Sequence, residues 1–152
     1  MYAWHSPFEI LNSFPMFRYL GIDYGAKRIG LAVGDSQSRI ASPIATVEGV
    51  AGHGERVQAL LKYAQQYGAD AFVLGLPLNM DGTEGPQAKE VRRFGDELGA
   101  RSGKPVHYFD ERLSSIAADE LLEPAELSRK KKKARHDRVA ALVILQGFLE
   151  NC

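Results

Sequence analysis

Two apolar segments joined by a short, glycine-containing connection constrain the fold of this chain more than any other feature. The segments are 17–23 (FRYLGID) and 29–35 (IGLAVGD), and the connection between them is 24–28 (YGAKR). A connection this short closes a hairpin, so the two strands should pair antiparallel. A third apolar run at 40–47 contains Pro43, which suits an edge strand. The sequence therefore predicts an antiparallel three-stranded start with its third strand at a sheet edge.

Further along the chain, apolar residues at helical spacing alternate with two more apolar runs. Two sets have the helical spacing, one ending near Gly68 and one following Pro86: Val57, Leu60, Leu61 and Ala64, then Ala88, Val91, Phe94 and Leu98. Residues 71–76 (AFVLGL) predict a fourth strand buried on both faces, and 106–109 predict a fifth. Strands separated by helices pair in parallel, so strands one, four and five should be parallel in a mixed α/β sheet.

The end of the chain predicts two more helices. Ser114 can cap a short helix that reaches Leu122, and a last helix should run from about 135 to 150.

Length and composition favour one compact domain. A chain of 152 residues fits a single domain, which we expect over 16–152. Residues 1–15 lack the basic and apolar regions of a signal peptide, and we expect them to be an extension, with a docked N-terminal arm as the alternative. The longest stretch without a charged residue, 139–149, is far shorter than the roughly 20 residues that cross a bilayer. We therefore expect no membrane segment. Cys152 is the single cysteine, so we expect no intrachain disulfide and a cytoplasmic location.

Four carboxylates lie where a ligand site is expected. Asp23 ends the first strand, and Asp110 and Glu111 follow the fifth. Parallel strands end at the same rim of a sheet, so these carboxylates should converge there. Asp137 lies on the predicted core-facing side of the last helix. Two alternatives stay open at this point: Asp23 as a turn-forming residue and Asp137 as a charge that interacts with the helix dipole.

Carboxylates gathered without His or Cys form a hard oxygen site, which suits Mg²⁺ or Mn²⁺. Two such ions could activate a water molecule and stabilise the leaving oxygen of a phosphodiester. The residues therefore point to hydrolysis of nucleic acid.

A basic run is the other strongly charged feature of the chain, whose net charge is zero. It contains seven of the 19 basic residues: Arg129, Lys130, Lys131, Lys132, Lys133, Arg135 and Arg138. We expect a mobile segment that binds phosphates, with a solvated loop as the alternative.

Four short motifs carry a family resemblance that covers about residues 17–150. They are GIDYGAKRIG at 21–30, GLPLNMDG at 75–82, DERLS at 110–114 and DRVAALVIL at 137–145. In this order and at this spacing they resemble the YqgF family, whose members are described as Holliday junction resolvases and as nucleases that mature the 5′ end of pre-16S rRNA. The resemblance implies an α/β RNase H-like fold, in which a five-stranded mixed sheet carries helices on both faces.

The resemblance also implies roles for individual residues. The metal ligands would be Asp23, the Asp110–Glu111 pair and Asp137, and Glu111 is favoured within the pair because related resolvases use a glutamate. Strand alternation points Asp110 and Glu111 to opposite faces, and the sequence leaves that choice open.

Phosphate or nucleic-acid contacts are expected from the residues around these acids and from the basic run. Asn79 and nearby backbone amides could hold a phosphate. Lys27 and Arg112 could bind phosphate or fix the carboxylates, with surface salt bridges as the alternative. The basic run contributes Arg129, Lys130, Lys131, Lys132, Lys133 and Arg135.

The expected activity is metal-dependent cleavage of structured nucleic acid, most directly 5′-end processing of pre-16S rRNA. Cleavage of Holliday junctions is the alternative, and it needs a symmetric dimer, so both a monomer and a homodimer stay open. A catalytically idle nucleic-acid-binding module is a further alternative. A phosphotransferase of the actin-like ATPase fold would need two such domains, which this length does not supply.

Overall fold

A computed structural model describes residues 16–112 and 129–151, without the side chains of 129–138. The expected extension at 1–15 and the expected short helix at 114–122 lie outside the described residues.

The described residues form five strands and three helices, with bounds close to those predicted. In chain order they are β1 (Arg18–Tyr24), β2 (Arg28–Asp35), β3 (Ser42–Glu48), α1 (His53–Tyr67), β4 (Ala71–Leu76), α2 (Pro86–Ser102), β5 (Val106–Asp110) and α3 (Arg129–Glu150). The strands form one sheet in the order β3-β2-β1-β4-β5. β1 pairs antiparallel with β2 and parallel with β4, and β4 pairs parallel with β5. The predicted hairpin, parallel pairs and edge position of the third strand are confirmed.

The last helix begins at Arg129, so the prediction of a start near residue 135 is wrong. The basic run is the amino-terminal part of α3 instead of the segment that leads to it. Lys, Arg and Ala are strong helix formers, and 129–138 contains no Gly or Pro to interrupt a helix. The high density of charged residues favoured the prediction of a loop, although the helix propensity of these residues is high.

Helices cover both faces of the sheet. On one face, α1 and α2 bury even-numbered β1 residues such as Leu20 and Ile22. On the other face, α3 packs against β1 and β2, with Ile144 and Leu145 fully buried. Within residues 16–112 and 129–151, no helix has the length and apolar character needed to span a membrane.

Glycine lets α3 lie unusually close to the sheet. A Cβ atom at Gly21 would lie 2.7 Å from Leu145 Cβ, and one at Gly34 would lie 2.8 Å from Leu149 Cδ1. Gly34 is the β2 partner of Tyr19, so these contacts show that α3 runs opposite to β1. The amino-terminal half of α3 therefore extends toward the carboxyl end of β1.

Candidate active site

Asp23 and Glu111 lie on the same face of the sheet, the face that α3 covers. Gly21 of β1 faces α3, and Asp23 lies two residues further along the strand. The ring of Phe109 in β5 lies under Gly147 of α3, and Glu111 follows Phe109 by two residues. Side chains two apart in a strand point to the same side, so Asp23 faces α3. Glu111 lies just beyond β5, and its Cδ lies 3.6 Å from a Cβ built on Gly75, on the side of β4 that contacts Ile144 of α3.

Asp23 and Glu111 meet on this side of the sheet, where a hydrogen bond joins their carboxyl groups. Burial, the negative charge of Asp23 and the hydrogen bond between the two carboxyl groups together raise the pKa of Glu111 to about 8, and burial contributes most. The neutral Glu111 carboxyl group donates this hydrogen bond to the Asp23 carboxylate. Two carboxylates this close repel each other unless a proton or a cation lies between them.

Gly75 lets α3 pack closely onto β4 beside this pair, a role that the motifs did not indicate. β4 lies between β1 and β5, so the two carboxyl groups must reach across it. A Cβ atom at Gly75 would lie 2.5 Å from Ile144 Cδ1 and 3.6 Å from Glu111 Cδ. A glycine inside an otherwise bulky, fully buried strand is a sequence signal for such a close approach.

Asp110 lies on the opposite face and is held by Arg112. Tyr108, two residues earlier, contacts Gly95 of α2, which fixes the direction of Asp110 by alternation. Arg112 Nη2 lies 2.6 Å from Asp110 Oδ2, and Arg112 Nε lies 3.0 Å from each oxygen. The Arg112 hydrogen bonds lower the pKa of Asp110. Asp110 is therefore an ionised carboxylate that positions Arg112.

Arg112 also holds the loop that follows β4. Its Nη1 donates to the carbonyl oxygens of Asn79 at 3.5 Å and Met80 at 3.2 Å. Asn79 closes this loop, because its backbone N–H donates to Thr83 O at 2.8 Å and its Nδ2 donates to Thr83 Oγ1 at 3.0 Å. These two Asn79 donors bind within the loop in this structure, and phosphate binding by Asn79 stays a prediction.

The hairpin turn that carries Lys27 is held by Arg56, a residue outside every motif of the sequence. Arg56 is 7% exposed and donates to Gly25 O and Val50 O at 2.9 Å each, and also to Ala26 O. Lys27 is exposed on this turn. No pattern in the sequence distinguishes Arg56 from other charged helix residues, because its partners are backbone carbonyl groups.

Helix geometry fixes the backbone position of Asp137, whose side chain lies outside the described part of the structure. Ala141 and Leu145 of α3 lie at Gly21, and residue 137 precedes Ala141 by about one turn, or roughly 6 Å. Asp23 lies two strand residues beyond Gly21, a similar distance in the same direction. The backbone of residue 137 therefore lies at the level of Asp23.

The Asp23–Glu111 pair suits a hard divalent cation. Among the side chains of residues 16–112 and 139–151, no three His, Cys, Asp or Glu groups form a cluster that could hold a metal ion. The two carboxylates repel each other unless a proton lies between them. A divalent cation could take the place of that proton and bind the carboxylate oxygens. These two residues fit Mg²⁺ or Mn²⁺ better than zinc, which favours nitrogen and sulfur ligands.

We expect the metal-free protein to lose stability as the pH rises from about 5 to about 8. Glu111 has a folded-state pKa of about 8, above its ordinary value of 4.5, so the folded state binds a proton that the unfolded state releases. This contribution is complete below pH 4.5 and is lost as the pH passes 8, at a cost of up to a few kcal/mol. Urea unfolding in EDTA at several pH values measures it.

Glu111→Gln should flatten this pH dependence, because glutamine carries no ionisable proton. Glu90→Gln, on the exposed side of α2, should keep the slope of the unaltered protein. An unchanged slope in Glu111→Gln would contradict the assignment of the shared proton.

Solved structures with a similar fold include a viral Holliday junction resolvase and a protein bound to a Holliday junction substrate. A structure titled T. thermophilus RuvC in complex with Holliday junction substrate matches with a TM-score of 0.55 and 15% identity, covering 89% of this chain and 94% of that one. The fowlpox virus Holliday junction resolvase matches with a TM-score of 0.53 and 13% identity, covering 89% and 99%. At this identity the likeness defines the fold, which is RNase H-like as the motifs implied.

Sequence comparison gives the family. Residues 17–151 match the family model described as "RuvX: Holliday junction resolvase". Relatives named "Putative pre-16S rRNA nuclease" include proteins from Neisseria gonorrhoeae, 41% identical over 92% of both chains, and Anaeromyxobacter dehalogenans, 46% identical over 88% of this chain and 96% of the relative.

The family match and the relatives identify the chain as a nuclease that hydrolyses phosphodiester bonds. The chain belongs to the RuvX family, also called YqgF, and the predicted resemblance is confirmed. Membership in this nuclease family implies binding of nucleic acid and dependence on a divalent metal ion.

Proposed function

We propose that this nuclease matures the 5′ end of pre-16S rRNA in the cytoplasm, using Mg²⁺ or Mn²⁺ held by Asp23, Glu111 and Asp137. The observation that carries the proposal is the hydrogen-bonded contact between the Asp23 and Glu111 carboxyl groups, because two acids this close need a proton or a cation between them. The rRNA substrate is supported by relatives of more than 40% identity that are named for it.

Different residues of the chain would have different roles in this proposed reaction. Asp23 and Glu111 would hold the metal from one face of the sheet, and Asp137 would approach from α3. Asp110 keeps Arg112 in place, and Arg112 fixes the loop after β4 beside the site. A bound divalent ion supplies activation of water and stabilisation of the leaving oxygen.

Holliday junction cleavage is the second candidate function, and the description of the matching family favours it. Cutting opposite strands of a junction requires two sites in a symmetric dimer. A monomer suffices for cleavage of an RNA end.

The experiment that separates the two functions is parallel cleavage of a pre-16S rRNA 5′ precursor and a four-way DNA junction, with Mg²⁺ and with Mn²⁺. Our proposal predicts metal-dependent cutting at the mature RNA end and little cutting of the junction. Symmetric cutting of the junction by a dimer, with the RNA left intact, would contradict it. Analytical ultracentrifugation of the same samples gives the oligomeric state.

The amino-terminal part of α3 should bind the phosphate backbone. Residues 129–137 extend roughly 12 Å along the helix before the level of Asp23, and most of these residues are basic. Cations at a helix amino terminus oppose the helix dipole, so a polyanion that neutralises them should stabilise this end.

Replacing Lys130, Lys131, Lys132 and Lys133 with alanine should weaken RNA binding and flatten its salt dependence, because each lost phosphate contact reduces counterion release. Fluorescence anisotropy titrations at several salt concentrations measure both quantities. Alanine keeps the helix propensity high, so the fold should be retained. Affinity and slope equal to those of the unaltered protein would mean that the run is only a solvated helix end.

A further inference from the structure

Met80 is a large apolar side chain held in solvent beside the carboxylate pair. It is 94% exposed and lies in the loop that follows β4. β4 lies between β1 and β5 and runs parallel to both. The loop therefore rises from the same rim of the sheet as Asp23 and Glu111, between the strands that carry them.

The loop that presents Met80 is closed by its own hydrogen bonds. Asn79 donates to Thr83 O, and Gly82 N–H donates back to Asn79 O, both at 2.8 Å. Thr83 Oγ1 donates to Asp81 Oδ1 at 2.6 Å. The loop backbone therefore has a defined conformation before any substrate binds, and in that conformation the apolar side chain of Met80 is exposed to solvent.

Arg112 connects this loop to the end of β5, where Asp110 and Glu111 lie. Its guanidinium group donates to Met80 O at 3.2 Å while it pairs with Asp110, the residue directly before Glu111. The bond uses the backbone carbonyl of Met80 and leaves the side chain in solvent. Substitution of the Met80 side chain should therefore leave the loop and the carboxylates in place.

The negative charge of Asp81 beside Met80 favours a base over a phosphate as the partner of the Met80 side chain. Asp81 follows Met80, and hydrogen bonds from Thr83 lower the pKa of Asp81, so this position is anionic at neutral pH. An anion repels phosphates, whereas the polarizable thioether of methionine packs well on flat rings. The complementary part of the substrate is the face of a base, which a nucleic acid exposes only where stacking is interrupted.

We propose that Met80 packs against the base of a nucleotide next to the cleaved bond, and that the nuclease selects sites where this base is unpaired. Apolar side chains of this kind enter between bases in other nucleic-acid-binding proteins. The inference deepens the proposed function, because it names the local structure of the substrate that the site accepts.

The test uses binding by an inactive protein, so that it does not depend on the rate of cleavage. In the Asp23→Asn background, affinity is measured for a precursor RNA and for the same RNA with the base next to the mapped cut site removed. With Met80 present, loss of the base should weaken binding about three- to tenfold, somewhat less than for stacking on an aromatic ring. With Met80→Ala, binding of the intact RNA should already be that weak, and loss of the base should change nothing more.

Two controls separate this contact from a general loss of apolar surface. Met80→Leu should restore most of the sensitivity to the base. Ile40 lies between β2 and β3, at the rim of the sheet opposite to Asp23, and its apolar side chain is 66% exposed. Ile40→Ala should therefore behave like the unaltered protein.

The proposal would be overturned if Met80→Ala bound the intact RNA as tightly as the Met80-containing protein does and bound the RNA without the base equally well. An equal response of Met80→Ala and the Met80-containing protein to loss of the base would also overturn it. Failure of the unaltered protein to bind or cut the precursor RNA would instead contradict the proposed function, and the same comparison on a four-way junction would then test Met80 alone.

Discussion

Asp23→Asn is expected to lower the rate of nucleic-acid cleavage by at least about two orders of magnitude, because activation of water and leaving-group stabilisation depend on the same metal ligand. Asparagine keeps the shape of the side chain and removes the charge that balances a cation. Above about pH 8, where Glu111 is ionised, the metal-free variant should be more stable than the unaltered protein, since the repulsion between the Asp23 and Glu111 carboxylates is relieved. Single-turnover cleavage and thermal unfolding in EDTA measure the two effects.

Asp96→Asn is the matched control, because Asp96 is exposed on α2, in the layer opposite to α3. It should keep full activity and stability. Asp137→Asn should lose cleavage as Asp23→Asn does, whereas a helix-dipole role for Asp137 predicts a modest loss of stability with cleavage retained. Full activity in both Asp23→Asn and Asp137→Asn would remove the basis for grouping these acids.

The second large effect is expected from Gly21→Ala. The added Cβ would lie 2.7 Å from Leu145 Cβ and 3.3 Å from the backbone oxygen of Ala141. Neither atom can move by a change of rotamer, so α3 must shift away from β1. Overpacking of this kind costs about 1–3 kcal/mol of unfolding free energy. Because α3 carries Asp137, the shift should also reduce cleavage.

Gly54→Ala controls for the general effect of replacing glycine. Gly54 lies in α1, where a Cβ atom would have no neighbour within 4 Å, so alanine should be neutral or stabilising there. Urea unfolding of both variants provides the comparison. A Gly21→Ala variant as stable as Gly54→Ala would contradict the close packing of α3 on β1.

Much of the fold could be predicted because strands and helices differ in the spacing of their apolar residues. The hairpin, the parallel pairs and the face of α2 with Val91 and Phe94 follow from spacing and from the lengths of connections. The start of α3 could not be predicted in this way, because spacing is no guide where nearly every residue is charged. Helix propensity was the better guide at 129–138.

The candidate site was predicted only as a set of acids near one rim. The pairing of Asp110 with Arg112, and of Glu111 with Asp23, depends on which face of β5 meets α3. That choice follows from packing around Gly147 and Gly95, which a linear pattern does not contain. Gly75 and Arg56 escaped notice for a related reason, since their roles are to leave space and to bind backbone carbonyl groups.

The central claim is that Asp23 and Glu111, and not Asp110, form the metal-binding face of this nuclease. Calorimetric titration with Mn²⁺ tests it directly in four proteins: the unaltered chain, Asp23→Asn, Glu111→Gln and Asp110→Asn. We predict saturable binding that weakens at least about tenfold in Asp23→Asn and Glu111→Gln, because each loses a charged oxygen ligand. Asp110→Asn should bind Mn²⁺ as the unaltered chain does. Binding lost in Asp110→Asn and kept in Glu111→Gln would contradict the account.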